Sequence, residues 1–171
     1  AGSIIGYCER WVVQSASSVL FPVGTATYYR PAEPVFDDLA SGGTVTFKFT
    51  ESDPGNIATP PLDDSGFDVY NTFSNGYWEM SSADGFSLAG GGGRTYSLDL
   101  TGNGFDAFTV KAATRLLVRA DARSNWTVDG THVAATGNTV SRTGLTYTSG
   151  HFAFGDDTNC TAPTTSFITG D

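Results

Sequence analysis

The stretch "TVTFKFT" (residues 44–50) decides the fold class. Val45, Phe47 and Phe49 alternate with Thr44, Thr46, Lys48 and Thr50. Successive side chains of a strand point to opposite faces, so this period of two predicts a half-buried β-strand. A helix would need apolar residues three and four apart, and that pattern is nearly missing from the chain. "YSLDL" (96–100) repeats the alternation, and "HFAFG" (151–155) puts Phe152 and Phe154 on one face. "RLLVRA" (115–120) and "NWTV" (125–128) are shorter strand candidates. Turn clusters separate them: "SGG" (41–43), "DPGN" (53–56), "DDSG" (63–66), "SNG" (74–76), "TGNG" (101–104), "VDG" (128–130) and "TGN" (136–138). Gly and Asn there supply the positive φ that tight turns demand. Many short strands at close spacing predict an all-β chain, an antiparallel β-sandwich of Ig-like or jelly-roll type. Two stretches read otherwise: "FDDLA" (36–40) as a single helical turn and "FTVKAATRLL" (108–117) as ambiguous. No repeat or linker divides the chain, so residues 1–157 are expected to form one sandwich domain. Residues 158–171 then form a strand-like C-terminal extension.

Bulk properties narrow the function classes. The chain has 171 residues, 39% hydrophobic and 13% aromatic, enough to bury a core. The formal net charge is −9 and the pI about 4.4, which argues against nucleic acid because phosphate binding needs clustered Lys and Arg. No run of about 18 apolar residues is present, so no membrane-inserting helix is expected. Cys8 and Cys160 are the only cysteines, one near each end, and read as one disulfide formed in an oxidising compartment. In the chain-entropy model a loop that long is stabilised by roughly 4–5 kcal/mol. Two buried free thiols are the alternative. The opening "AGSIIGY" resembles a mature N-terminus after signal cleavage, so a secreted, extracellular or cell-surface location is expected.

The run "LFPVGTATYYRPAEPVF" (20–36) is more specific. Pro22 and Pro31 lack an amide donor and do not fit a central strand. Gly24 permits a bend between them. The run reads as an edge strand, a kink and a return, with Tyr28 or Tyr29 packing inward. Together with "IIGYCERWVV" (4–13), "NGYWEM" (75–80), "RLLVRADARSNWTVDG" (115–130) and "SGHFAFGD" (149–156), it resembles secreted and cell-surface β-sandwich modules of Bacteroidota. Those modules carry a Phe-Pro-Val-Gly-Thr … Tyr-x-Pro run and related motifs in the same order. The resemblance covers about residues 4–156. It implies a surface-exposed sandwich, adhesive or structural, without catalysis. Members often carry a sorting domain after the module. Here a short extension bearing Cys160 stands in that place.

No strong catalytic constellation is evident. His132 and His151 lie in strand-like runs without a nucleophile-elbow motif, and surface or strand-end histidines are the commoner meaning. Glu33, Glu51, Glu79 and Asp84 offer carboxylates for acid–base work, but their separations are not written in the sequence. Neither "DDSGFD" (63–68) nor "GDDTN" (155–159) matches a calcium loop, and turn chemistry is their commoner meaning. No cofactor is expected; calcium is the minority alternative. Trp11, Trp78 and Trp126 can be read as a sugar-stacking platform, although core packing is the usual role of strand tryptophans.

The tail "TTSFITG" (164–170) is β-branched, aromatic and uncharged. Such a strand suits an exposed sheet edge or open groove on another subunit, where head-to-tail addition does not close; the alternative is that the tail folds back and pairs with its own first sheet, near strand 4–13. The expected function is a structural subunit of an extracellular bacterial filament or pilus-like fibre, a homo-polymer built by β-strand addition. Thr165, Phe167 and Ile168 of the tail, and Ile4 and Ile5 of the N-terminal run, are the expected subunit contacts. The alternative is a monomeric adhesin or carbohydrate-binding sandwich that recognises surface glycans through its tryptophans.

Overall fold

The "TVTFKFT" run forms the second strand of a large sheet, with Phe47 and Phe49 on its buried side. The computed structural model describes residues 2–13, 17–89, 95–106 and 108–157, and no helix occurs among them. In chain order the strands are β1 (Tyr7–Val12), β2 (Ala32–Phe36), β3 (Leu39–Ser41), β4 (Gly43–Thr50), β5 (Leu62–Asp63), β6 (Asp68–Val69) and β7 (Asn71–Thr72). They continue as β8 (Tyr77–Ala83), β9 (Ser87–Leu88), β10 (Tyr96–Thr101), β11 (Arg115–Arg119), β12 (Thr131–Thr136), β13 (Thr139–Leu145) and β14 (Gly150–Asp156).

One sheet runs in the order β1-β4-β8-β14-β11, with β7 also on β14; the other runs β12-β13-β10-β2. All their strand pairs are antiparallel. Two short pairs, β3-β9 and β5-β6, lie outside the large sheets. The inner faces meet in one core. Phe47, Phe49, Trp78, Met80, Phe152 and Phe154 come from the first sheet, and Phe36, Tyr96, Leu98, Leu100, Val140 and Leu145 from the second. The chain is therefore an antiparallel β-sandwich. A smaller cluster of Ile57, Val69, Leu117, Trp126 and Ala153 covers part of the first sheet's outer face. It explains why β11 is buried on both sides and why "RLLVR" is not a clean alternation.

The run 20–36 folds as an edge segment and its return. Phe21 bridges Ala32 and Gly24 bridges Tyr29. A Cβ on Gly24 would lie 2.2 Å from the Tyr28 carbonyl oxygen, so only glycine fits this close turn. Tyr28 and Tyr29 are only half-buried; the fully buried member of the turn is Arg30. Its guanidinium sits 4.5 Å from the Phe49 ring centroid and 4.8 Å from that of Phe105, and its Nε donates to Asn103 O at 2.8 Å.

The two ambiguous stretches are not helical. Residues 36–40 carry the end of β2, a turn and the start of β3, and residues 108–114 form a loop that leads into β11. "NWTV" contributes one bridge, Thr127 to Val118, instead of a full strand.

Candidate functional site

Every free sheet edge offers unpaired amides and carbonyls, so edges are usually short, charged or covered. Three of the four sandwich edges here are covered. Ser18 and Phe21 bridge to the open side of β2, and Thr127 bridges to β11. On the β12 edge of the second sheet, Ala135 donates to Ala112 O at 3.1 Å and His132 Nε2 sits 3.0 Å from the same carbonyl. The remaining edge is β1, which pairs with β4 and with no other strand among the described residues.

That edge carries the exposed charges of Glu9 and Arg10, but most of the exposed side chains in and beside β1 are apolar. Seven large hydrophobic side chains are exposed among the described residues, and five of them (Ile4, Ile5, Tyr7, Trp11 and Val13) come from one ten-residue run. Ile5 is 71% exposed, Tyr7 66%, Trp11 61% and Val13 66%. A grouping of this kind marks an interaction surface more often than single exposed residues do. At the N-terminal end of β1 lies an open depression of about 480 Å³, lined chiefly by Ile5, Gly24, Ala26, Phe49 and Glu51. Just before β1, the chain is tied to its own fold. Ile4 N donates to Pro22 O at 2.6 Å and Gly24 N to Ile4 O at 3.2 Å, in a parallel bridge to Val23.

The three tryptophans do not form one platform. Trp78 is fully buried between the sheets, with Nε1 donating to Arg30 O at 2.9 Å. Trp126 is 4% exposed under the 53–57 loop, with Nε1 donating to Gly55 O at 3.0 Å. Only Trp11 presents its ring to solvent. The reason is position: Trp78 points inward from a central strand, whereas Trp11 points outward from the edge.

Cys8 is buried opposite Phe47 with a free thiol, and no disulfide is seen among the described residues. Cys160, Thr165, Phe167 and Ile168 lie outside those residues. No group of three or more His, Cys, Asp or Glu side chains able to hold a metal occurs among the described residues. In the "DDSGFD" turn, Asp63 Oδ1 accepts from Gly66 N at 2.9 Å, which is turn chemistry.

Asp64 carries a larger role that its sequence context does not reveal. Its carboxylate is buried and takes two bonds from Arg142, Nη1 to Oδ2 at 2.9 Å and Nη2 to Oδ1 at 2.8 Å. Arg115 Nε lies 2.8 Å from Oδ2, an ionic contact whose N–H is not aimed at the oxygen. Burial alone would raise the Asp64 pKa. The Arg142 hydrogen bonds and the charges of Arg142 and Arg115 outweigh it and hold the carboxyl below its ordinary 3.8. The triad pins the β5-β6 hairpin to β11 of one sheet and β13 of the other.

Comparison of the chain with protein-family models, curated proteins and solved structures finds no match.

Proposed function

We propose that the protein is a structural subunit of an extracellular fibre that polymerises by β-strand addition, with the free edge of β1 as the receiving edge. The arriving strand is residues 164–170 of another copy. The observation that carries this reading is the concentration of exposed apolar side chains on the one sheet edge that no described segment covers. Main-chain bonds along β1 supply affinity, and the depression beside Ile5 supplies a seat for an anchor such as Phe167. Ile4 is already bonded to residues 22–24, so the N-terminal run receives rather than donates. The resemblance of residues 4–156 to secreted surface modules agrees with an extracellular setting. A chain that adds head to tail in this way grows without closing.

The test is electron microscopy with analytical ultracentrifugation on the full chain, a chain lacking residues 161–171, and the double variant Trp11→Lys/Val13→Lys. The full chain is expected to form linear assemblies, and both alterations to leave monomers. Trp11 and Val13 are exposed, so the double variant should keep the parent's thermal midpoint, within about 0.5 kcal/mol per site. Monomers at every concentration of the full chain, or assemblies that survive both alterations, would refute the reading. In that case a monomeric adhesin is the better description.

A further inference from the structure

The outer face of the first sheet carries a second feature, which shares only Tyr7 with the edge. Strand register places five side chains in one transverse row. Tyr7 lies opposite Lys48, Lys48 opposite Glu79, Glu79 opposite His151, and His151 opposite Arg119. An adjoining row runs Glu9, Thr46, Ser81. Between these rows is a shallow cleft of about 220 Å³, with Tyr7, Thr46, Glu79, Ser81, Ser149 and His151 among its lining. The covered part of the same face bounds one end. There Arg119 sits 4.3 Å from the Trp126 ring and 5.7 Å from that of Tyr77.

The polar groups are held in place by their neighbours. Glu79 Oε1 accepts from Thr50 Oγ1, and Lys48 Nζ approaches it at 3.4 Å. Its second oxygen has no partner among the described residues. Arg119 Nε donates to His151 Nδ1 at 3.3 Å, so the imidazole carries its proton on Nε2 as a neutral donor. Burial and the Arg119 charge both hold the His151 pKa below 6.5. The Tyr77 ring rests 5.0 Å from the imidazole and restrains its tilt. Nε2 has no partner among the described residues. At the other end, the Tyr7 ring is exposed, and Lys48 Nζ lies 5.1 Å from its centroid.

We propose that this cleft binds a neutral saccharide, one pyranose ring lying against Tyr7, with Glu79 accepting and His151 Nε2 donating hydrogen bonds to its hydroxyls. The chemistry favours that class over others. A free carboxylate oxygen and an imidazole N–H form an acceptor and a donor side by side, which matches hydroxyls that both give and take. Thr46, Ser81 and Ser149 add hydroxyls of the same dual kind. Lys48 and Glu79 neutralise each other, and neither Lys48 nor Arg119 lines the cleft, so an anionic sugar meets no counter-charge there. The volume is too small for a drug-sized ligand and suits one ring. The site shares Tyr7 with the β1 edge, whereas Glu79 and His151 stand on β8 and β14, away from it, so Glu79→Gln tests the site without touching the strand-addition reading.

The test is ligand-observed and amide-shift NMR on the full chain. The probes are the methyl glycosides of glucose, galactose and mannose, with glucuronic acid as the anionic comparison. At least one neutral glycoside is expected to bind with a Kd of about 1–10 mM, shifting the amides of Ser81 and His151. Glu79→Gln and Tyr7→Ala should each weaken it by about tenfold or more, while Trp11→Ala should not. Unchanged amide spectra elsewhere would show that each variant folds. Absence of binding by all three glycosides, preference for glucuronic acid, or binding that survives both substitutions would overturn the proposal.

Discussion

Replacing Asp64 by alanine is expected to destabilise the fold by about 3–5 kcal/mol, because it strands two arginines without their counter-ion. Arg142 is 1% exposed and Arg115 9%, so neither guanidinium can turn to water without opening the structure. Arg142 also bonds Gly130 O at 3.1 Å and the carbonyl of Asp129, and these contacts soften the loss without neutralising the charge. Urea unfolding of the variant against the parent measures the effect. The same carboxylate sets a pH dependence. Its folded pKa lies below 3.8, so its contribution is complete above that value and is lost as pH falls through the lower, folded pKa. His132 adds a second slope. Burial, followed by the Arg115 charge, holds its folded pKa below 6.5, so the unfolded chain takes up the proton first. Stability should therefore begin to fall as pH drops below about 6.5, and fall further below about 4. Asp64→Asn should shrink the lower component, while the upper one, to which His132 and His151 both contribute, should persist. An unaltered acid limb in that variant would contradict the assignment.

Why Asp64 escaped the sequence reading is instructive. "DDSG" is an ordinary turn composition, and Asp63 does behave as a turn residue. Nothing local distinguishes Asp64, whose partners are 51 and 78 residues further along the chain. The strand patterns were legible for the opposite reason. Alternation in β4, β10 and β14 is a local property, and the side facing the core repeats every second residue. β12 and β13 were less visible because Thr, Ser and Arg fill positions that face loops and the triad rather than a purely apolar core. Arg30 shows the same limit. It lies in a run whose prolines and glycine announce a turn, yet its buried position depends on Phe49, Phe105 and the Asn103 carbonyl. The β1 edge, uncovered among the described residues, was half legible. "IIGYCERWVV" reads as a strand, but which side of it stays bare depends on sheet order, and sheet order is not a local signal.

Trp11 and Trp78 should respond to truncation in opposite ways. Trp78→Ala is expected to destabilise by about 3–5 kcal/mol from lost packing alone. Its ring meets Phe49 edge-on at 4.9 Å and lies 5.0 Å from Phe154, so truncation opens a cavity in the centre of the aromatic core. It also leaves the buried Arg30 carbonyl without its donor, worth about a further 1–3 kcal/mol. The sum approaches the whole stability of an ordinary domain, so the variant should be largely unfolded in mild denaturant. Trp78→Phe loses the N–H but keeps a six-membered ring, so its packing loss is smaller than that of alanine. Trp11→Ala should change unfolding by only about 0.5 kcal/mol, because most of its side chain is already in water. Chemical denaturation followed by tryptophan fluorescence and circular dichroism ranks the three. The order Trp78→Ala, Trp78→Phe, Trp11→Ala follows from burial. A sugar platform built on Trp78 would require the reverse: a side chain accessible to ligand, whose removal spares the fold and abolishes binding.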